Sequence, residues 1–237
     1  MSSDRILVLD TETSGFVGVS DAAPLEIGAV VVDIARGSIC ASFSSLSQPW
    51  QASRPGYWDR RGVQEALRVN QLTAEQVQAA PPSVQVAVSF GFWAMMHNVD
   101  RVVAYPAAFD IPMVRRLTEE GRDHGMVSIS RLWQQLDTAL CLVPIVSQIL
   151  QSSGIAVRKV AAYGPMVRLS YAAAFFDVPV EGPAHRALPD AITTARVLLA
   201  VLRWPENPSA EMVATARARY DAATVAAASE KMTAASE

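Results

Sequence analysis

The stretch Ile6-Leu7-Val8-Leu9-Asp10-Thr11-Glu12-Thr13 decides how the rest of the chain is read. Four apolar residues running into acids form the pattern of a short buried strand. Side chains alternate along a strand, so Asp10 and Glu12 share one face. Two carboxylates on one face repel unless something positive lies between them, and hard divalent cations such as Mg²⁺ take oxygen ligands of this kind. The same Asp-x-Glu, taken by itself, is equally a solvated turn after a strand. What decides between the two is which other acids the fold brings to this edge.

Downstream, Leu25 to Asp33 is rich in β-branched residues, Ala35-Arg36-Gly37-Ser38 has hairpin-turn character, and Ile39 to Leu46 reads as the returning strand. The chain thus opens as a three-stranded antiparallel meander whose first strand, Arg5 to Asp10, carries the acids at its end; Thr11 to Pro24 reads as a loop. Pro49, Pro55 and Gly56 break the next segment, whose Tyr57-Trp58-Asp59-Arg60-Arg61 is aromatic and basic together. That combination suits base stacking and phosphate contact, and equally suits aromatics covering the edge of a core. Short helices are expected over Gly62–Asn70 and Thr73–Ala79, with Thr73 as the capping residue of the second. A buried helix follows from Pro82-Ser83 to Asn98, with His97 as a cap or surface residue.

Arg101-Val102-Val103-Ala104 is a short strand that leads through Tyr105-Pro106 into a helix, placing Phe109 and Asp110 at a second strand-to-helix junction. Met126 to Ile129 reads as an edge strand, Trp133 to Gln151 as helical with an interruption near Pro144, and Asp137 as a helix cap. After a helix over Leu169–Phe176, His185-Arg186-Ala187-Leu188-Pro189-Asp190 enters an apolar-periodic helix, Ala191 to Leu202. The Ala-rich tail reads as one more helix. The expected fold class is α/β: a mixed sheet of about five strands, the meander followed by parallel strands, flanked by helices. The expected organisation is one domain over 1–204 and a helical tail over 205–237.

Composition narrows the classes. The 237 residues are 51% hydrophobic and carry a net charge of −3, which describes a core-forming chain and argues against a basic coat for duplex nucleic acid. Cys40 and Cys141 lie in no metal-ligand spacing and read as buried small hydrophobes in a reducing compartment. The first residues lack a signal peptide's apolar region, and no apolar run is long enough to span a bilayer. A soluble cytoplasmic protein with no membrane partner is the expectation.

Asp10, Glu12, Asp110 and Asp190 all fall where strands end or helices begin, and in α/β folds these positions converge on one edge of the sheet. Four carboxylates converging there are costly unless balanced. Two divalent ions roughly 3.5–4 Å apart form a clamp suited to phosphodiester hydrolysis, and His185, five residues before Asp190, is placed to take a proton from the attacking water.

On these residues the chain resembles the DEDD superfamily of 3′→5′ exonucleases in its DEDDh branch, the group of the polymerase III proofreading subunit, RNase T and oligoribonuclease. Asp10-Thr11-Glu12-Thr13 matches its first motif, Phe109-Asp110 its second, and His185 through Asp190, with Leu188 and Ala191, its third, all in the family's order across about Arg5 to Leu202. The tyrosine-using sister branch needs Tyr where this chain has Arg186. The resemblance implies an RNase H-like fold and a 3′→5′ exonuclease acting on single-stranded RNA or DNA ends. It implies Asp10, Glu12, Asp110 and Asp190 as ligands of two Mg²⁺ or Mn²⁺, with His185 as general base. Thr13 and the backbone after Glu12 are implied near the terminal nucleotide, with Thr11 beside them, and a homodimer is the implied assembly of stand-alone relatives. Trp58, Tyr57 and Phe109 are candidates to wedge and stack on bases, with core packing as the alternative for each. Tyr105-Pro106 depart from the His-Asn common before the second motif. A binding module that has lost hydrolysis is the alternative, but such a chain would be expected to drop one of the five side chains.

Overall fold

The computed structural model describes residues 4–15, 22–123, 126–160 and 164–234. Contacts gather the chain into two compact units, Met1–Cys141 with Glu181–Ala195, and Leu142–Val180 with Arg196–Glu237.

The first unit is built on a mixed five-stranded sheet of order β3-β2-β1-β4-β5. Its strands are β1 (Arg5–Thr13), β2 (Pro24–Asp33), β3 (Ser38–Leu46), β4 (Arg101–Ala104) and β5 (Leu140–Cys141). β1, β2 and β3 are antiparallel, while β4 runs parallel to β1 and β5 parallel to β4. β1 is longer than its sequence pattern indicates. It continues to Thr13, so Asp10 and Glu12 sit inside the strand and not at its end, because β2 goes on pairing with it through Glu12↔Glu26. The expected loop from Thr11 to Pro24 shrinks accordingly, and residues 16–21 of it lie outside the described residues.

Along β1, Leu7 and Leu9 share a face with Ile27, Ala29 and Val31 of β2. That face packs on three helices, α3 (Ser83–Met96), α4 (Ala107–Asp123) and α5 (Val127–Asp137), through Phe90, Val114, Leu117, Ile129 and Leu132. A second cluster joins Leu25 to Tyr57, Val63, Leu67, Leu72 and Val77, and so seats two short helices, α1 (Arg61–Val69) and α2 (Ala74–Gln78). α2 begins with the capping box at Thr73, whose hydroxyl accepts from Gln76 N while Gln76 answers Thr73 N.

Three expectations change. Met126 to Ile129 is the start of α5 and not an edge strand, because Ile129, Leu132 and Leu136 recur at helical spacing against α3. Asp137 is the last residue of α5 and pairs with Arg115 instead of capping a helix start. Neither cysteine is buried: Cys40 is exposed on β3, an edge strand, and Cys141 is half-buried.

The second unit contains α6 (Leu142–Ser152), with Pro144 accommodated in its first turn, where a missing N–H costs nothing. It also holds the hairpin β6 (Arg158–Val160) and β7 (Gly164–Met166), α7 (Leu169–Phe175) and α9 (Ala210–Ala234). Phe175, Phe176 and Trp204 form an aromatic cluster, and Tyr171 of α7 meets Tyr220 of α9 with ring centroids 5.7 Å apart. α8 (Ala187–Arg203) contributes its first half to the first unit. Among the described residues no helix is long and apolar enough to cross a membrane.

Candidate active site

β4 stops at Ala104, the partner of Leu9. Asp10, Thr11 and Glu12 therefore run on past the carboxyl end of the parallel pair, where open α/β sheets form their crevices. The chain leaving β4 passes through Tyr105-Pro106, a cis peptide, and enters α4, which holds Asp110 in its first turn. Asp110 is 1% exposed. Its Oδ1 accepts from Thr11 N at 2.9 Å and from Thr11 Oγ1 at 2.8 Å, so β1 itself fixes the side chain. Its other oxygen, Oδ2, is buried with no hydrogen-bond partner among the described residues.

Asp190 lies in the first turn of α8 and accepts from His185 N at 3.2 Å. One ligand atom from each of Glu12, His185 and Asp190 lies within 4.8 Å of the others. Asp10 completes the group electrostatically: burial first, then the charges of Asp110, Glu12, Asp190 and Glu26, hold its carboxyl well above the usual range. Burial, reinforced by Asp190, Glu26 and Asp110, pushes Glu12 from 4.5 up to about 8, with Arg186 pulling the other way. Burial raises Asp110 to about 7 against the two Thr11 hydrogen bonds, and Asp190 is raised chiefly by burial as well. Every carboxyl of the set holds its proton more tightly than a free one, chiefly through burial and secondarily through its acidic neighbours.

The donor set fits divalent cations. It is all oxygen with one imidazole, it is partly desolvated, and it contains an orphaned carboxylate oxygen at Asp110.

The remaining sequence candidates fall as follows. Thr11 is a partner of Asp110, and Thr13 gives its carbonyl to Asn70 Nδ2 at 2.9 Å. Phe109 is half-buried in the first turn of α4. Trp58 is half-buried and packs edge-on to Tyr57, which is fully buried; both belong to the cluster around Leu25.

Two residues at the site lack any motif in the sequence. Glu26, directly opposite Glu12 on β2, is 2% exposed and binds Arg186 through two bonds of 2.9 and 3.0 Å. Gly28, opposite Asp10, leaves room for α8: a Cβ there would stand 2.2 Å from the backbone of Ala187 and Leu188. The signal in the sequence is a charge and a glycine inside a strand that is otherwise apolar up to Asp33.

The model of the 3′-5′ exoribonuclease Rv2179c-like domain matches residues 5–202, which include every one of these side chains. The chain belongs to this exoribonuclease family. No curated protein matches it in sequence. Among solved structures it is similar to cell-death related nuclease 4, CRN-4, at TM-score 0.62 and 14% identity, covering 85% of this chain and 64% of that one. It is also similar to the nuclease domain of 3′hExo, a DEDDh family member bound to rAMP, at TM-score 0.59 and 13% identity, with 85% and 92% covered. A third likeness is to E. coli exonuclease I in complex with a dA16 oligonucleotide, at TM-score 0.61 and 16% identity, with 84% and 41% covered. The chain thus spans less than two-thirds of the length of CRN-4 and of exonuclease I. The family model is that of a 3′-5′ exoribonuclease domain, and the structural likenesses agree with the mixed sheet on an RNase H-like fold.

Proposed function

We propose that the chain hydrolyses single-stranded nucleic acid from its 3′ end, releasing nucleoside 5′-monophosphates, with RNA favoured by the family it belongs to. The observation that carries this reading is the convergence of Asp10, Glu12, Asp110, Asp190 and His185 on one sheet edge, with proton affinities raised throughout. Asp10, Glu12, Asp110 and Asp190 are the residues that would hold two Mg²⁺ or Mn²⁺. Bound there, the ions would acidify the attacking water and offset charge on the scissile phosphate.

The chain's own residues supply the rest. Thr11 orients Asp110 by two hydrogen bonds to one oxygen and leaves the other free to take a cation. His185, exposed and beside Glu12 and Asp190, is open to solvent and to substrate, as a general base must be. Its imidazole takes the proton from the nucleophile and returns it to solvent. Phe109 and Trp58 stand as contacts for the terminal bases, and Thr13 lies beside the path of the strand. The protein works in the cytoplasm, with residues 205–237 as a helical appendage to the nuclease.

The test is a digestion of 5′-labelled single-stranded RNA and DNA of one sequence in Mg²⁺ or Mn²⁺. A ladder shortening from the 3′ end, stronger on RNA and abolished by EDTA, is the expected result. Internal cuts, or activity that survives excess chelator, contradict the reading.

A further inference from the structure

His185 occupies a left-handed backbone conformation, φ +61°, and Gly182 just before it has φ +51°. A non-glycine residue pays a steric cost there, and such a conformation persists only where its surroundings over-determine it. The determinants are visible on both sides of the turn. Before it, Gln71 Nε2 donates to Ala184 O at 3.1 Å. Within it, His185 N donates to Asp190. After it, Arg186 closes a two-pronged ion pair on Glu26, and Ala187 N donates to the same carboxylate at 3.4 Å.

Glu26 is the anchor of this arrangement. A carboxylate that is 2% exposed in the middle of a strand is costly unless fully partnered. The planar guanidinium of Arg186 meets both oxygens, as a lysine ammonium cannot. Two residues along β2 on the same face, Gly28 lets the Ala187–Leu188 peptide rest against the strand. β2 therefore offers α8 a seat at Gly28 and a latch at Glu26. The latch lies one residue after His185, and Arg186 is close enough to Glu12 to act on its charge.

We infer that Glu26 and Arg186 are positioning residues: their ion pair, buried on the Glu26 side, latches the start of α8 to β2 and so holds His185 in the left-handed turn that sets its ring beside Glu12 and Asp190. The inference rests on His185 serving the exonuclease reaction proposed above. Groups that orient the ligands and bases of a metal site are worth roughly 10–100-fold in activity or metal affinity.

The experiment is kinetics of Glu26→Gln, Arg186→Gln and Arg186→Lys, each also built in the His185→Ala background, together with hydrogen exchange of the metal-free proteins. The expected result is a kcat lowered roughly 10–100-fold by either glutamine with KM nearly unchanged, and a partial recovery with Arg186→Lys. In the His185→Ala background, Arg186→Gln should cost less than about threefold, because the two changes remove the same interaction. Losses that multiply, or a kcat untouched by Arg186→Gln, overturn the inference. Exchange reads the latch without catalysis: in Glu26→Gln the amides of His185 and Ala187 should exchange faster while the β1–β2 ladder does not. Unchanged exchange at those two amides refutes the latch. If the wild-type chain digests nothing, the exonuclease reading fails, and exchange alone still decides whether the latch exists.

Discussion

Replacing Glu12 by glutamine should stabilise the metal-free protein while destroying its activity. Glu12 is 7% exposed and its carboxyl is raised from 4.5 to about 8 by burial and by three neighbouring acids. A carboxyl raised in this way contributes stability that is fully present below its unfolded value and is lost as pH climbs to the folded one. At pH 7 the folded chain has given up the interval from 4.5 to 7, which at about 1.4 kcal/mol per pH unit is roughly 3 kcal/mol. Glutamine keeps the shape and never ionises. In chelator at pH 7, Glu12→Gln should therefore gain up to roughly 3 kcal/mol, or about 6–12 °C in Tm for a chain of this size. The assay is thermal melting of both proteins in EDTA from pH 5 to pH 8. Wild-type Tm should fall across that window, the variant's should fall less, and Mg²⁺ or Mn²⁺ should restore the wild type most at pH 8. A wild-type Tm that rises with pH, or a variant less stable than wild type at pH 8, would refute the reasoning.

Other changes have distinct expected outcomes. Asp10→Ala and Asp190→Ala should abolish cleavage with the circular dichroism spectrum preserved; substantial residual digestion contradicts their role. His185→Ala should slow turnover roughly 10²–10⁴-fold, read by single-turnover digestion across pH. Thr11→Val removes the hydroxyl that donates to Asp110, so in chelator the Asp110 carboxyl rises further and the fall of Tm between pH 5 and pH 8 should steepen, read by thermal melting in EDTA; an unchanged slope contradicts the role of that bond. Gly28→Ala drives a methyl into the Ala187–Leu188 backbone and should cost about 1–3 kcal/mol by denaturant melting, with activity lost as α8 shifts.

The parts of this site legible in the sequence are those written locally. Asp10 and Glu12 are two apart on a strand, and His185 and Asp190 flank a helix start, so strand and helix periodicity placed them on one edge before any coordinates. Glu26 escaped because its partner lies 160 residues away, and a charge inside a β-branched run reads locally as an outward-facing position. In the sequence Arg186 only separates the histidine branch from its tyrosine-using sister; its pairing with Glu26 is not written there. The aromatic pair at Tyr57-Trp58 is ambiguous by nature, because the residues that stack on bases are the residues that close a core; packing around Leu25 buries Tyr57 wholly and leaves Trp58 half-exposed. The segment at Met126 failed for a related reason. Its few apolar residues fit either period, and the contacts of Ile129 and Leu132 with the rest of the core chose the helix.

The most direct test of the account is a crystal of the wild-type chain soaked with Mn²⁺ and a single-stranded oligonucleotide whose terminal phosphodiester resists cleavage. The account predicts two anomalous peaks bounded by Asp10, Glu12, Asp110 and Asp190, with the 3′-terminal phosphate against them and the His185 ring beside it. An oligonucleotide bound elsewhere, or no anomalous peak among these four carboxylates, would contradict it.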